Sequence, residues 1–82
     1  MPTVLRDAGL RVVIYPNDHR PAHVHVIGGG SEAVFHLNCL SGPAEVRENY
    51  GFSKPQIKRI KKVLTINLQA LCAKWREIHG IA

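Results

Sequence analysis

His23-Val24-His25-Val26-Ile27-Gly28-Gly29-Gly30-Ser31-Glu32-Ala33-Val34-Phe35-His36-Leu37 is the stretch that decides the architecture. Its first part alternates polar and apolar residues, as a strand does. A strand over His23 to Ile27 puts both imidazoles on one face and Val24 and Val26 on the other. Its last part, Glu32 to Leu37, alternates in the same way. Ala33, Phe35 and Leu37 fall on one face, and Glu32, Val34 and His36 on the other. Gly28 to Ser31 between them supplies a flexible turn. Two such runs joined by a short Gly-rich turn pair antiparallel.

Upstream, Thr3 to Asp7 reads as a short strand and Ala8-Gly9 as a tight turn. Leu10 to Tyr15 is rich in Val, Ile and Tyr, with Arg11 its only charge, and reads as a central strand. Pro16-Asn17-Asp18 ends it with turn chemistry, and a loop runs on through His19 to Ala22. Downstream, Ser41-Gly42-Pro43 is a break, and Ala44 to Glu48 reads as a short fifth strand or an irregular edge.

Gly51-Phe52-Ser53 opens a helix. Ser53 is the N-cap, Gln56 completes a capping box, and Phe52 with Ile57 fits a hydrophobic staple. Pro55 sits in the first turn, where its missing N–H costs little. Ile57, Ile60, Leu64, Leu68, Leu71, Trp75 and Ile78 step by three and four up to a C-cap at Gly80. One helix of about 26 residues would span roughly 39 Å, long for so small a sheet, so its middle bends or its second half packs on another protomer. The expected fold is α+β: a small antiparallel sheet of about four strands (residues 1–52), then one long amphipathic helix (53–80), in a single domain over 1–82.

The 82 residues, 45% hydrophobic and 21% charged, describe a globular chain rather than a disordered one. A domain this small is marginally stable and gains from a partner or from self-association, so a homodimer is one expectation. No apolar run reaches the ~18–20 residues of a membrane span. No basic region followed by an apolar stretch opens the chain, so a signal peptide is not expected, and the location is read as cytoplasmic. Cys39 and Cys72 lie far apart in sequence without a metal-binding spacing, and read as two reduced thiols.

The net charge of +5 is uneven. Residues 1–52 carry four arginines against five carboxylates, whereas 53–82 carry Lys54, Lys58, Arg59, Lys61, Lys62, Lys74 and Arg76 against Glu77 alone. At 100° per residue, Lys54, Lys58, Lys61 and Lys62 cluster opposite Ile57, Ile60 and Leu64. Such a face is either simply solvated or a stripe for phosphates or an acidic partner. No aromatic lies on it to stack bases. Ile66 sits near this polar face, and the core does not explain it.

Three of the five histidines, His19, His23 and His25, fall within seven residues, with Arg20 and Pro21 among them. Imidazole is suited both to proton transfer near neutral pH and to metal ligation. Three readings follow. His23 and His25 could act as acid and base on a phosphodiester while Arg20 stabilises charge, as in a metal-independent ribonuclease. His19, His23 and His25 could ligate zinc. Or the imidazoles could hydrogen-bond structurally, which is the expectation for the isolated His36 and His79. The sequence calls for no cofactor. A nucleotide-hydrolase histidine triad is excluded, because its third histidine is replaced by Ile27.

Met1-Pro2-Thr3-Val4-Leu5-Arg6, the strand ending in Tyr15, the loop Asn17 to Val26 with its Pro-x-His-x-His core, Gly51-Phe52-Ser53, and the tail Leu71 to Gly80 with Trp75 together resemble domain-of-unknown-function family 4160. Ala22 stands where that family usually has a second proline. The resemblance implies a small bacterial cytoplasmic protein, often encoded beside a member of domain-of-unknown-function family 2442 in toxin–antitoxin-like pairs. It supplies no catalytic residues. The expected function is a component of such a module, on the toxin side rather than the antitoxin side. It would bind its cognate partner and RNA, with His23, His25 and Arg20 catalytic and with Lys54, Lys58, Arg59, Lys61 and Lys62 as the binding surface. The competing expectation is a non-catalytic protein- or DNA-binding module.

Overall fold

The computed structural model describes residues 3–39 and 41–79. Five strands, β1 (Thr3–Asp7), β2 (Leu10–Val13), β3 (His23–Gly28), β4 (Ser31–His36) and β5 (Glu45–Tyr50), precede two helices, α1 (Lys54–Ile66) and α2 (Leu68–His79). The sheet order is β1-β2-β3-β4-β5, each pair antiparallel. The α+β reading holds, with two refinements: β5 is a full strand, and the single long helix is two.

Two-residue turns close the first and third pairings. Ala8 (φ 47°) and Gly9 (φ 82°) join β1 to β2, and Gly29 (φ 55°) and Gly30 (φ 81°) join β3 to β4. Both central residues of each turn have positive φ, as the turn that matches the right-handed twist of a hairpin requires. In β3 and β4 the alternation falls as expected. Val24, Val26, Ala33, Phe35 and Leu37 enter the core with Val12 and Ile14. β5 is mostly exposed, with Val46 and Tyr50 open to solvent. Val34 pairs with Glu48 and Phe35 with Val46, so Arg47 is the extra residue of a bulge. A bulge bends its strand and re-aims the side chain it carries.

Asn49 prepares the helix entry, donating to the Phe52 carbonyl at 2.9 Å and accepting from the Phe52 N–H at 3.1 Å. The capping box then forms: the Ser53 N–H donates to Gln56 Oε1 (2.8 Å) and the Gln56 N–H to Ser53 Oγ (3.3 Å). Ile60 and Leu64 of α1, and Leu71, Cys72 and Trp75 of α2, complete the core. Burying a side chain of this size contributes roughly 1.5–3 kcal/mol.

The helix divides at Asn67. Its side-chain amide donates to the Val63 carbonyl at 2.8 Å, and its backbone N–H also turns back to that carbonyl. The backbone bond is the ordinary helical one, so the side-chain amide is an additional donor to the same carbonyl, and the Asn67 backbone itself departs from helical geometry at φ −100° and ψ 16°. Thr65 Oγ1 accepts from the Ala44 N–H at 3.3 Å, tying this point to the loop before β5. The apolar spacing runs through the break unchanged, which is why periodicity alone reads one helix. Gly80, expected as its C-cap, lies outside the described residues.

The break lays Cys72 against the loop after β4, where it is joined to Cys39 in a disulfide with Cα atoms 5.7 Å apart. The expectation of two separate thiols is therefore corrected. Distance along the chain says nothing of distance in the fold, and the packing of α2 against the sheet brings the two sulfurs together. Among the described residues no helix is long and apolar enough to cross a membrane.

Candidate functional site

His23 and His25 emerge on the same side of β3, their ring centroids 5.5 Å apart. The chain leaves β2 through Tyr15, turns where the Asp18 N–H meets the Tyr15 carbonyl (3.0 Å), and returns along the start of β3. That turn delivers Asp18 to both imidazoles. Asp18 Oδ2 lies 3.3 Å from His23 Nε2 and 3.3 Å from His25 Nε2.

The far side of each ring is anchored. His23 Nδ1 is 2.9 Å from the Pro21 carbonyl oxygen, and His25 Nδ1 is 3.1 Å from Glu32 Oε2. A carbonyl and a carboxylate only accept, so both Nδ1 atoms carry the proton and donate it. The tautomers are thereby fixed with the Nε2 atoms turned to Asp18. Packing holds the rings as well. Tyr15 meets His25 edge-on at 4.7 Å, and Trp75 of α2 lies 5.3 Å from His23. Trp75 in turn stacks on His79 at 3.8 Å, and the His79 ring meets the Trp75 carbonyl at 3.0 Å. His23 is buried at 6% exposure, and the His25 side chain keeps 18%.

A cleft of about 370 Å³ opens beside the cluster, lined by Asn17, Asp18, His19, Arg20, Pro21, His23, His36 and Arg47. Of the residues singled out in the sequence, Arg20, His19 and His23 line it and His25 does not. Asp18, His36, Arg47 and Glu32 were not singled out. Asp18 was hidden by its membership of a turn signal. His36 faces His23 across the β3–β4 register, which a reading of strand alternation can find. Arg47 reaches the cleft from the β5 bulge, which leaves no mark on a pattern of polar and apolar residues.

The basic residues of α1 lie elsewhere. Lys54, Lys58 and Lys61 line a groove of about 410 Å³ between α1 and β5, with Phe35, Glu45, Val46, Asn49 and Ile57. Arg59 lines depressions toward the β1–β2 turn, beside Asp7, Ala8 and Leu10. Lys62 is exposed and lines none of these openings. Lys54, Lys58 and Lys61 therefore stand together on the α1–β5 groove, and none of these basic residues lines the histidine cleft. Ile66, unexplained by the core in sequence, is 74% exposed.

No curated protein and no solved structure matches the chain. The model of a family described as a domain of unknown function, DUF4160, matches residues 9–76, a span that runs from the β1–β2 turn to α2 and takes in Asp18, His23, His25, His36 and Arg47. The chain belongs to the DUF4160 family.

Proposed function

We propose that this chain is the RNA-facing, toxin-side component of a toxin–antitoxin-like pair acting in the cytoplasm, and that the histidine cleft receives a phosphodiester. One observation carries the reading: Arg20, Arg47 (also paired with Glu48 at 3.4 Å), His19, His23 and His36 line a single cleft in which, among the described residues, Asp18 is the only carboxylate. Guanidinium groups match phosphate oxygens in a bidentate fork, and they supply fixed positive charge where a phosphoryl transfer develops negative charge. In this reading Arg20 and Arg47 hold the phosphate, and His23 moves a proton at its Nε2. His25 acts behind it, through Asp18.

The test uses purified protein with total RNA, and compares Arg20→Ala/Arg47→Ala and His23→Ala with the parent chain, each verified as folded. The expected result is cleavage or saturable RNA binding that both variants lose. Folded parent protein that neither binds nor cuts RNA would sink the reading.

A second reading, a non-catalytic module that holds a partner protein, is favoured by the groove between α1 and β5. Its apolar floor (Phe35, Val46, Ile57) and lysine rim (Lys54, Lys58, Lys61) suit an acidic amphipathic segment of an antitoxin-like partner of the family 2442 type. Charge reversal at Lys58 and Lys61 separates the two readings. It should abolish partner binding and leave RNA cleavage unchanged.

A further inference from the structure

Asp18 Oδ2, His23 Nε2 and His25 Nε2 form a problem in electrostatics. Each Nδ1–H is already donated, to Pro21 and to Glu32, which leaves each Nε2 as the ring atom available to a ligand. Both Nε2 atoms face the same carboxylate oxygen, 3.3 Å away. Asp18 Oδ2 and His25 Nε2 are buried and have no hydrogen-bond partner. Native structures seldom leave such atoms unsatisfied. A proton on one Nε2 would leave the other facing the carboxylate, and a proton on each would set two charged rings 5.5 Å apart. One cation among the three atoms satisfies all of them together.

We propose that Asp18, His23 and His25 bind a single divalent transition-metal ion of the zinc class. The donor set is two imidazole nitrogens and one carboxylate oxygen, the mixture that suits these ions. Two of the three spacings already match. Ligands about 2.0–2.1 Å from a tetrahedral ion stand roughly 3.3–3.4 Å apart, and both carboxylate-to-imidazole separations are 3.3 Å. The three donor atoms lie within 4.8 Å of one another, so the two imidazoles draw together when the ion binds. The surroundings agree too. A metal-binding histidine commonly donates its other ring N–H to a carboxylate or a backbone carbonyl, which fixes its tautomer and orientation. Glu32 and the Pro21 carbonyl stand in those positions. Asp18 takes the place that the sequence had suggested for His19, which lines the cleft but is not one of the three converging groups.

Three protein ligands leave a coordination position open. Asp18 and His23 both line the cleft of Arg20, His36 and Arg47, so the three ligands stand at the wall of that cleft. In the metal-bound state the two imidazoles are ligands, so the proton role proposed for His23 is confined to the metal-free chain, whereas Arg20 and Arg47 keep their phosphate contacts in either state. The inference rests on the geometry of the three donor atoms and stands whether or not the cleft binds RNA.

Full-length protein without an affinity tag, stripped with a chelator and kept free of reductant, is titrated with Co²⁺ and then Zn²⁺. Calorimetry follows binding, and visible absorption follows coordination. The expected result is one equivalent of Co²⁺ with the intense d–d bands of a low-coordinate site, displaced by Zn²⁺. Asp18→Asn should weaken binding at least 100-fold, Glu32→Gln should weaken it roughly 10- to 100-fold, and His19→Ala should leave it unchanged. Circular dichroism confirms that each variant is folded. Absence of 1:1 binding to the folded parent chain overturns the proposal. So does Asp18→Asn binding as tightly as the parent, and so does loss of binding in His19→Ala.

Discussion

Cys39 and Cys72, thirty-three positions apart in sequence, are joined across the junction between the sheet and α2. Closing a loop of this length removes conformational freedom from the unfolded chain and is worth about 3–4 kcal/mol. Urea unfolding with and without reductant should show a lower midpoint in reductant, with the unfolding free energy reduced by that amount. An identical midpoint in both conditions would mean that the bond does not contribute. Cys72→Ala should reproduce the reduced protein, with a further loss from the cavity left at this buried site.

Ala8 holds a backbone conformation that L-residues with a Cβ disfavour, with φ at 47°. Ala8→Gly relieves this strain, and the gain should exceed the added freedom of the unfolded chain. An increase in stability of ~0.5–1 kcal/mol is expected. Thermal unfolding of the two proteins side by side measures it, and a decrease would contradict the strained turn.

Ser53 accepts from the first turn of α1 and Gln56 answers it. Ser53→Ala should cost about 1 kcal/mol, and Ser53→Asp or Ser53→Asn should restore most of the loss. Failure of those replacements to rescue would show that the hydroxyl acts elsewhere than at the helix N-terminus.

Tyr50 donates its hydroxyl to Glu48 Oε1 at 2.6 Å, and this bond, followed by the charge of Glu48, holds its pKa above the ordinary 10.0. The sign follows directly. The bond exists only with the phenol protonated, so its contribution is complete below pH 10.0 and is lost as pH rises through the elevated pKa. Ultraviolet titration of phenolate formation should show a late-ionising component. That component disappears in Tyr50→Phe and moves back toward pH 10.0 in Glu48→Gln.

Trp75 covers His23 and stacks on His79 while itself 3% exposed. Trp75→Ala should destabilise the fold by about 3–5 kcal/mol. Trp75→Phe should retain most of the stability and isolate the effect of the ring on the histidine cluster.

How far the residues announce this structure depends on the range of the interaction. The hairpin turns, the inward face of Ala33, Phe35 and Leu37, and the box at Ser53 are set by neighbours a few positions apart, and each was legible in the chain. The break at Asn67 was not, because Leu64, Leu68 and Leu71 keep a helical spacing through it and only the amide of Asn67 marks the interruption. Cys39 with Cys72 and His23 with Trp75 depend on where α2 points after that break. Within the site, His23, His25 and Arg20 stand out in the chain by residue type and spacing. Asp18 does not, since an Asp after Pro-Asn reads as a turn former, and only the fold shows that the turn aims its carboxylate at two imidazoles.

Because every strand lies beside its neighbour in the chain, the closure entropy of each pairing is low and the sheet has a low contact order. The consequence reaches the chemistry. Asp18, Pro21, His23, His25 and Glu32 all belong to the segment from the β2–β3 loop to the start of β4, and meet as soon as that hairpin zips. The cluster is therefore contained in one hairpin and the loop that leads into it, and α2 adds Trp75 against His23.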